Sequence, residues 1–232
     1  MIECDHYNKR EARLDVVSLL ILSLAVAWAS GINLYATLLL LGLLQTYDII
    51  VLPAGLQILS DPVVIGVVMT LYFVEFFADK IPGVDTAWDV LQTFVRIPAG
   101  ALLAAGIVGD LSAPTELAML LTGGALATSS HLSKAGSRLM INTSPEPFSN
   151  SLASITEDLL VIAGLWLALT QPWIFIVLLV GFVLLTIWLL PRLFRAIKTF
   201  IATLRGVFQP ASTTVASPRL LTRDESISDA DK

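Results

Sequence analysis

Long apolar runs separated by short polar stretches form the dominant pattern along the chain. Six of these runs are long enough to be considered as membrane-crossing helices, at residues 15–44, 62–79, 93–109, 115–134, 154–170 and 173–191. A helix needs about 20 mostly apolar residues to cross the hydrocarbon core of a bilayer. The pattern therefore predicts an all-α fold, a polytopic transmembrane helix bundle of about six spans.

The first apolar run is too long for one upright helix. It would extend about 43 Å, against about 30 Å of hydrocarbon. Gly31 and Asn33 lie inside this run and favour a break in the helix, although a strong tilt would also accommodate the length. We expect a single broken or tilted span, because two full spans would move the later loops to the wrong sides.

Composition excludes several classes of protein. Hydrophobic residues make up 56% of the 232 residues and charged residues only 14%, with a mean hydropathy of +0.80. A soluble domain carries about 25% charged residues, so lipid must serve as part of the solvent. No basic field indicates nucleic acid. Cys4 is the single cysteine and the two histidines are His6 and His131, so we expect no disulfide, no metal cluster and no cofactor.

The basic residues predict the topology. With six spans, all 14 Lys and Arg residues fall on one side, and the loops 45–61, 110–114 and 171–172 on the other side have none. Cytoplasmic loops are rich in Lys and Arg, so we expect an even number of spans with both termini in the cytoplasm.

The same pattern predicts the domain organisation. A cytoplasmic N-terminal segment (1–13) precedes a transmembrane helical domain (14–191), which is followed by a basic amphipathic helix (192–208) and a disordered tail (209–232). The amphipathic helix suits binding to anionic lipid. Its bases are equally typical of the cytoplasmic end of the last span.

Two polar stretches, 75–100 and 131–164, resemble each other. Each opens with two charges four residues apart, which places both on one helix face: Glu75 with Asp79, and Lys134 with Arg138. Each continues through a proline-containing segment and enters the next span with charge. The pattern predicts a parallel repeat of two helical hairpins joined by polar cytoplasmic loops.

The signs of the charges are swapped between the two stretches. If the hairpins pack side by side, Glu75 and Asp79 meet Lys134 and Arg138, and Arg96 meets Glu157 or Asp158. Charges at membrane depth are costly, and they usually face the bundle interior and pair. The alternative is that these charges only mark the boundary between the membrane and water. This alternative is sufficient to explain Lys80, Asp85 and Asp89.

The polar segment 142–150 is open to two interpretations. Its prolines and Asn and Ser side chains suit turns and helix caps. Alternatively, its polar side chains line a re-entrant cavity. The candidate transport or ion-pair cluster therefore comprises Asn33, Glu75, Asp79, Asp85, Arg96, His131, Lys134, Arg138, Asn142, Glu146, Glu157 and Asp158.

Several long motifs together resemble one known family. They are GINLYA (31–36), EFFADKIPGVDTAWD (75–89), TFVRIPAGALLA (93–104), HLSKAGSR (131–138), NTSPEPFSN (142–150) and SITEDLL (154–160). These residues resemble a family of bacterial integral membrane proteins catalogued as domain of unknown function 4126. The resemblance implies a polytopic domain in the bacterial inner membrane, without an assigned substrate or catalytic role.

Three classes of function compete. A small transporter or channel-like protein is the first hypothesis, and it would use the charged cluster for an unknown small ion or solute. A membrane scaffold or lipid-interacting protein is the second, and it would use the same charges as internal ion pairs. Membrane lipid is a partner in either case, and a homo-oligomer is left open.

A membrane enzyme is the third class. It would require a metal site built from His131 with Glu146, Glu157 and Asp158. Only one histidine is available there, and no HExxH, CxxC or nucleophile-elbow motif occurs. We therefore expect no enzymatic activity.

Overall fold

The computed structural model describes residues 15–81, 83–141 and 147–208, and every regular element in these ranges is helical. Seven α-helices follow one another: α1 (Val16–Ile32), α2 (Leu34–Thr46), α3 (Pro62–Ala78), α4 (Val84–Ile107), α5 (Ala113–Ile141), α6 (Pro147–Thr170) and α7 (Pro172–Phe208). A 3₁₀ helix (Ala54–Ser60) precedes α3. The chain divides into two compact units, Met1–Pro191 and Arg192–Lys232, and the helix bundle described below belongs to the first.

Local sequence accounts for several helix ends. Asp15 begins α1 by accepting a hydrogen bond from the Ser18 amide at 3.0 Å. Asp61 begins α3 in the same way, through the Val63 amide at 2.8 Å, and Pro62 occupies the first helical turn. Gly83 precedes α4 with a φ of 87°, a conformation that favours glycine. The turn between α3 and α4 is therefore encoded locally.

Among the described residues, three helices are long and apolar enough to cross a membrane: α4, α6 from Phe148, and α7 up to Leu189. The 3₁₀ helix and α3 together make a fourth if this pair, bent by 70°, is counted as one span. The 29 residues of α5 are sufficient in length, but polar residues interrupt its apolar character. These long apolar helices indicate that the protein is a membrane-embedded helix bundle.

The first apolar run folds as a helical hairpin. The backbone of Asn33 is extended (φ −143°, ψ 101°) and separates α1 from α2. Val16 and Leu19, at the start of α1, line one cavity together with Val51 and Gln57, beyond the end of α2. The two ends of the run therefore lie together, and Asn33 lies at the tip.

This hairpin corrects the predicted single broken or tilted span. The break does occur near Gly31 and Asn33, but the chain reverses direction there instead of continuing across. With 17 and 13 residues, α1 and α2 extend about 25 Å and 20 Å, so each is shorter than about 30 Å of hydrocarbon.

Small residues bring α1, α4 and α5 close together. A Cβ atom on Gly31 would overlap the Ser130 side chain and the Ala127 carbonyl of α5. A Cβ atom on Gly123 would overlap the Ala104 methyl group of α4. Close packing of small residues is a main source of helix association in membranes. Gly123 of α5 and Ala104 of α4 are therefore packing residues between these two helices.

The hairpins α3–α4 and α5–α6 both turn at one end of the bundle, which we call the cluster end. They run in the same direction, and whether they form a structural repeat stays a prediction. The Ser133 hydroxyl lies 3.4 Å from that of Thr186, so α7 also reaches the cluster end. The hairpin α1–α2 approaches from the far end and places its tip against this region.

Candidate functional site

Nine charged side chains from α3, α4, α5 and α6 meet at the cluster end. We call them the charged cluster: Glu75, Asp79, Asp85, Asp89, Arg96, Lys134, Arg138, Glu157 and Asp158. Glu75, Asp85, Arg96 and Arg138 have no solvent exposure, and only Glu157 is half-buried. So many buried charges can persist only if they neutralise and hydrogen-bond one another.

Arg96 connects α4 to α3. Its Nη2 atom donates to Glu75 Oε1 at 2.6 Å, and its Nη1 atom donates to Asp89 Oδ1 at 3.3 Å. Asp89 lies seven residues before Arg96, two helical turns away on the same face of α4. The guanidinium group is thus held between its own helix and the end of α3.

Lys134 occupies the centre of the cluster. Its Nζ atom lies 2.8 Å from Asp79 Oδ2, 3.3 Å from Glu157 Oε2, 3.5 Å from Glu75 Oε1 and 3.9 Å from Asp89 Oδ1. Four carboxylates from three different helices therefore surround one ammonium group.

Arg138 lies one turn further along α5. It binds Glu157 with two hydrogen bonds, of 3.1 Å from Nε and 2.7 Å from Nη2. Its Nη1 atom donates to the backbone carbonyl of Asp79 at 2.7 Å and to Asn150 Oδ1 at 2.9 Å. The side-chain Nδ2 atom of Asn150 in turn donates to Asp85 Oδ2 at 3.0 Å. Arg138 thereby joins the ends of α3, α5 and α6.

Asp158 binds the tip of the α1–α2 hairpin. Asn33 Nδ2 donates to one carboxylate oxygen at 2.8 Å, and the Tyr72 hydroxyl donates to the other at 3.0 Å. The carbonyl oxygen of the Asn33 side chain accepts from the Ala36 amide at 2.9 Å and so caps α2. One side chain therefore both starts α2 and connects the hairpin to the cluster.

His131 lies against the cluster, between Arg96 and Thr93. Its Nδ1 atom is 3.5 Å from Arg96 Nη1, and its Nε2 atom is 2.7 Å from the Thr93 hydroxyl. Arginine can only donate, and the Thr93 hydroxyl already donates to the Asp89 carbonyl at 2.9 Å. With Nδ1 accepting from Arg96, a neutral His131 ring would carry its proton on Nε2.

A family model described as a domain of unknown function, DUF4126, matches residues 20–192. The chain belongs to this family. No curated protein and no solved structure matches the chain. The whole charged cluster and the hairpin tip lie within the DUF4126 domain.

Most of the sequence-predicted candidates in the DUF4126 domain come together. The predicted meeting of Glu75 and Asp79 with Lys134 is present, and Asp79 also lies 3.5 Å from Arg138. The pairing predicted for Arg96 is wrong, because Arg96 binds Glu75 and Asp89. Two further candidates, Asn142 and Glu146, lie outside the described residues.

Sequence reasoning missed Asp89, Tyr72 and Gln92. The candidate cluster predicted from the sequence includes Asp85 but not Asp89, yet the exposure of Asp89 is only 2%. Its position four residues after Asp85 and seven before Arg96, on one helix face, was the available signal. For Tyr72, inside an apolar run, no local pattern pointed to the cluster.

The cluster carries more negative than positive groups. It contains six carboxylates and three cations, an excess of three negative charges when all are ionised. Three buried carboxylate oxygens, Glu75 Oε2, Asp79 Oδ1 and Asp89 Oδ2, have no hydrogen-bond partner among the described residues. In that part of the chain, no three His, Cys, Asp or Glu side chains are placed so that they could hold a metal ion together. The arrangement is suited to exchanging protons or binding a small cation or polar solute.

Lys80 lies just outside the cluster. Its ammonium group is 2.9 Å from the centre of the Phe76 ring and donates to the Phe76 carbonyl at 3.3 Å. Partial burial lowers the pKa of Lys80 from its usual value.

Proposed function

We propose that this DUF4126 protein is a small transporter or channel-like protein for a small ion or solute, and that the charged cluster is its permeation or coupling site. The observation that carries the proposal is the contact between Asn33, at the tip of a hairpin of two short helices, and the buried carboxylate of Asp158. Broken helices at membrane depth are typical of transporters, where they line the substrate site. They are tolerated there because protein or water surrounds the irregular backbone.

The imbalance of charge also favours transport over a purely structural role. A structural ion-pair network is most stable when each charge is matched, because uncompensated charge in a low-dielectric interior is costly. Six carboxylates with three cations leave a deficit of positive charge among the cluster residues that the structure describes. An exchangeable proton, cation or cationic solute supplies that charge in our proposal.

The proposed topology follows from the basic residues and the hairpin. Lys80, Lys134 and Arg138 lie at the cluster end, so this end faces the cytoplasm of a bacterial inner membrane. Helices α3 to α7 cross the membrane, and α1–α2 enters from the opposite side as a re-entrant hairpin. The sequence predicts six spans with both termini on one side. In the proposed arrangement, five spans and a re-entrant hairpin take their place, because Asp15, at the start of α1, lies at the far end of the bundle.

A membrane scaffold is the second candidate. Each of the three cations contacts at least two carboxylates, as expected if the charges only hold the helices together. In that case the excess negative charge is absorbed by permanently protonated carboxyl groups.

Reconstitution into proteoliposomes tests the proposal. Conductance and tracer flux are compared between wild type, Glu75→Gln and Arg96→Gln. Glu116→Gln is the matched control, because Glu116 is exposed at the other end of α5. We expect flux above that of empty liposomes in wild type and in the control, and its loss in both cluster variants.

Folding must be verified for each variant by its elution as a single species in detergent. Flux that persists in folded Glu75→Gln and Arg96→Gln would remove the cluster from the pathway. No flux in wild type for common monovalent and divalent ions, over a range of pH, would favour the scaffold.

A further inference from the structure

Asp89 is the most weakly paired of the carboxylates around Lys134. Its Oδ1 atom lies 3.3 Å from Arg96 and 3.9 Å from Lys134. The corresponding shortest contacts are 2.6 Å for Glu75 and 2.8 Å for Asp79. The Oδ2 atom of Asp89 is buried and has no hydrogen-bond partner among the described residues. One oxygen of this carboxylate is therefore desolvated without compensation, which is costly for the ionised form.

Gln92 presents a second unsatisfied acceptor one helical turn away. Its Nε2 atom donates to the Tyr35 hydroxyl at 3.1 Å. Its Oε1 atom is buried and has no donor in the described part of the chain. Side chains three residues apart on a helix are neighbours. A proton placed on Asp89 Oδ2 would turn that atom into a donor, and a hydrogen bond from it to Gln92 Oε1 would then satisfy both atoms.

Charges from three other helices, and from α4 itself, lie around Asp89. Lys134 approaches from α5, Arg96 from α4 itself, Glu75 and Asp79 from α3, and Glu157 from α6. His131 lies beside Arg96, with Nδ1 at 3.5 Å from Nη1. The ammonium group of Lys134 already occupies the space between the carboxylates, so a bound metal cation would be repelled from it. A proton on a carboxylate reduces the negative excess without this repulsion.

We infer that Asp89 is a proton-binding group, whose protonated Oδ2 donates a hydrogen bond to Gln92 Oε1. On loading, an O–H bond forms between Oδ2 and a proton delivered by water, and the carboxylate becomes a neutral carboxyl group. On release, that bond breaks and the proton returns to water. The role of this proton as a coupling ion rests on the transport function proposed above, whereas the proton binding does not.

Asp158 is the competing carboxyl group, and its hydrogen bonds argue against it. Each of its oxygens accepts from a neutral donor, Asn33 or Tyr72. Such donors favour the ionised form. Protonating Asp158 would displace one of these donors, whereas protonating Asp89 satisfies two atoms that otherwise lack partners.

Infrared difference spectroscopy of the full-length protein in lipid nanodiscs tests this inference. The C=O stretching band of a protonated carboxyl group is followed as the pH is lowered. We expect a titrating band in wild type, its loss in Asp89→Asn and its retention in Asp48→Asn, a matched exposed control. Gln92→Leu removes the acceptor, and we expect it to shift the band frequency and to lower the pH at which the band appears.

Asp89→Glu keeps a carboxyl group and serves as a second variant if Asp89→Asn does not fold. We expect it to retain a titrating band at a shifted frequency. A band that persists unchanged in folded Asp89→Asn or in Asp89→Glu, or the absence of any titrating band in wild type, would overturn the inference.

Flux measurements separate this inference from the transport proposal. An Asp89-dependent band without flux leaves the proton site intact and removes the transport function. Flux that depends on Glu75 and Arg96, with a band that does not depend on Asp89, leaves transport intact and removes the proton site. When both stand, flux driven by a pH gradient is expected in wild type and lost in Asp89→Asn.

Discussion

The guanidinium group of Arg96 lies 2.6 Å from the carboxylate of Glu75, and neither side chain is exposed. This pair joins the middle of α4 to the end of α3 inside a membrane-embedded bundle. Removing one partner of such a pair leaves the other charge buried without compensation, and this costs more than the pair itself contributes. The relationship therefore has a direct consequence for stability.

Replacing Arg96 by Met is expected to lower the free energy of unfolding by about 3–5 kcal/mol. The double variant Arg96→Met with Glu75→Gln is expected to recover part of this loss, because one of the stranded carboxylates is removed with its partner. Denaturant unfolding in detergent micelles measures both, with Glu116→Gln as a control expected to stay within about 0.5 kcal/mol of wild type. Glu75→Gln is also measured alone, and a loss in the double variant equal to the sum of the two single losses would show that the pair is not energetically coupled.

The proposed re-entrant placement of the α1–α2 hairpin predicts which positions share a side of the membrane. In a Cys4→Ser background, single cysteines are introduced at Val16, Asp48 and Ile81, all of which are exposed. We expect a membrane-impermeant maleimide to label Val16→Cys and Asp48→Cys from one side and Ile81→Cys from the other. Labelling of Val16→Cys from the same side as Ile81→Cys would contradict the hairpin and support a single broken span.

The close contact of α1 with α5 predicts a penalty at Gly31. An added methyl group would meet the Ala127 carbonyl of the α5 backbone, which cannot move as a side chain can. We expect Gly31→Ala to destabilise the protein by about 1–3 kcal/mol, the usual cost of overpacking. Gly66→Ala in α3 is the matched control, because nothing lies within 4 Å of the added Cβ atom, and thermal unfolding compares the two. A similar stability of both variants would contradict the contact.

Asn33 both caps α2 and binds Asp158, so we expect it to contribute more to the free energy of unfolding than Tyr72 does. Asn33→Ala removes the cap of α2, worth about 1 kcal/mol, as well as a hydrogen bond to a carboxylate, worth about 1.5–3 kcal/mol. Tyr72→Phe removes only the second kind of interaction. We expect the larger loss of unfolding free energy for Asn33→Ala, and a smaller effect of Tyr72→Phe when Asp158→Asn is also present. An unchanged effect of Tyr72→Phe in that background would show that the hydroxyl acts elsewhere.

The sequence determined the class of the protein and the main partners in its charged cluster. Long apolar runs with few charges require a lipid environment, so the helical membrane bundle could be inferred from composition and periodicity. The swapped signs of Glu75 and Asp79 against Lys134 and Arg138 predicted a pairing between α3 and α5, because unpaired charges at membrane depth are too costly. Gly31 and Asn33 likewise marked the position of the helix break.

Only the tertiary structure decided the direction of the chain after that break and the partners of Arg96. A break in a helix restricts the local backbone, but continuation or reversal depends on which surfaces are available for packing, here those of α4, α5 and α6. Arg96 binds Glu75 and Asp89 because of the rotation of α4 about its axis, which follows from the contacts of small residues such as Gly123 with Ala104. These are long-range contacts between helices, and they leave no periodic signal in the local sequence.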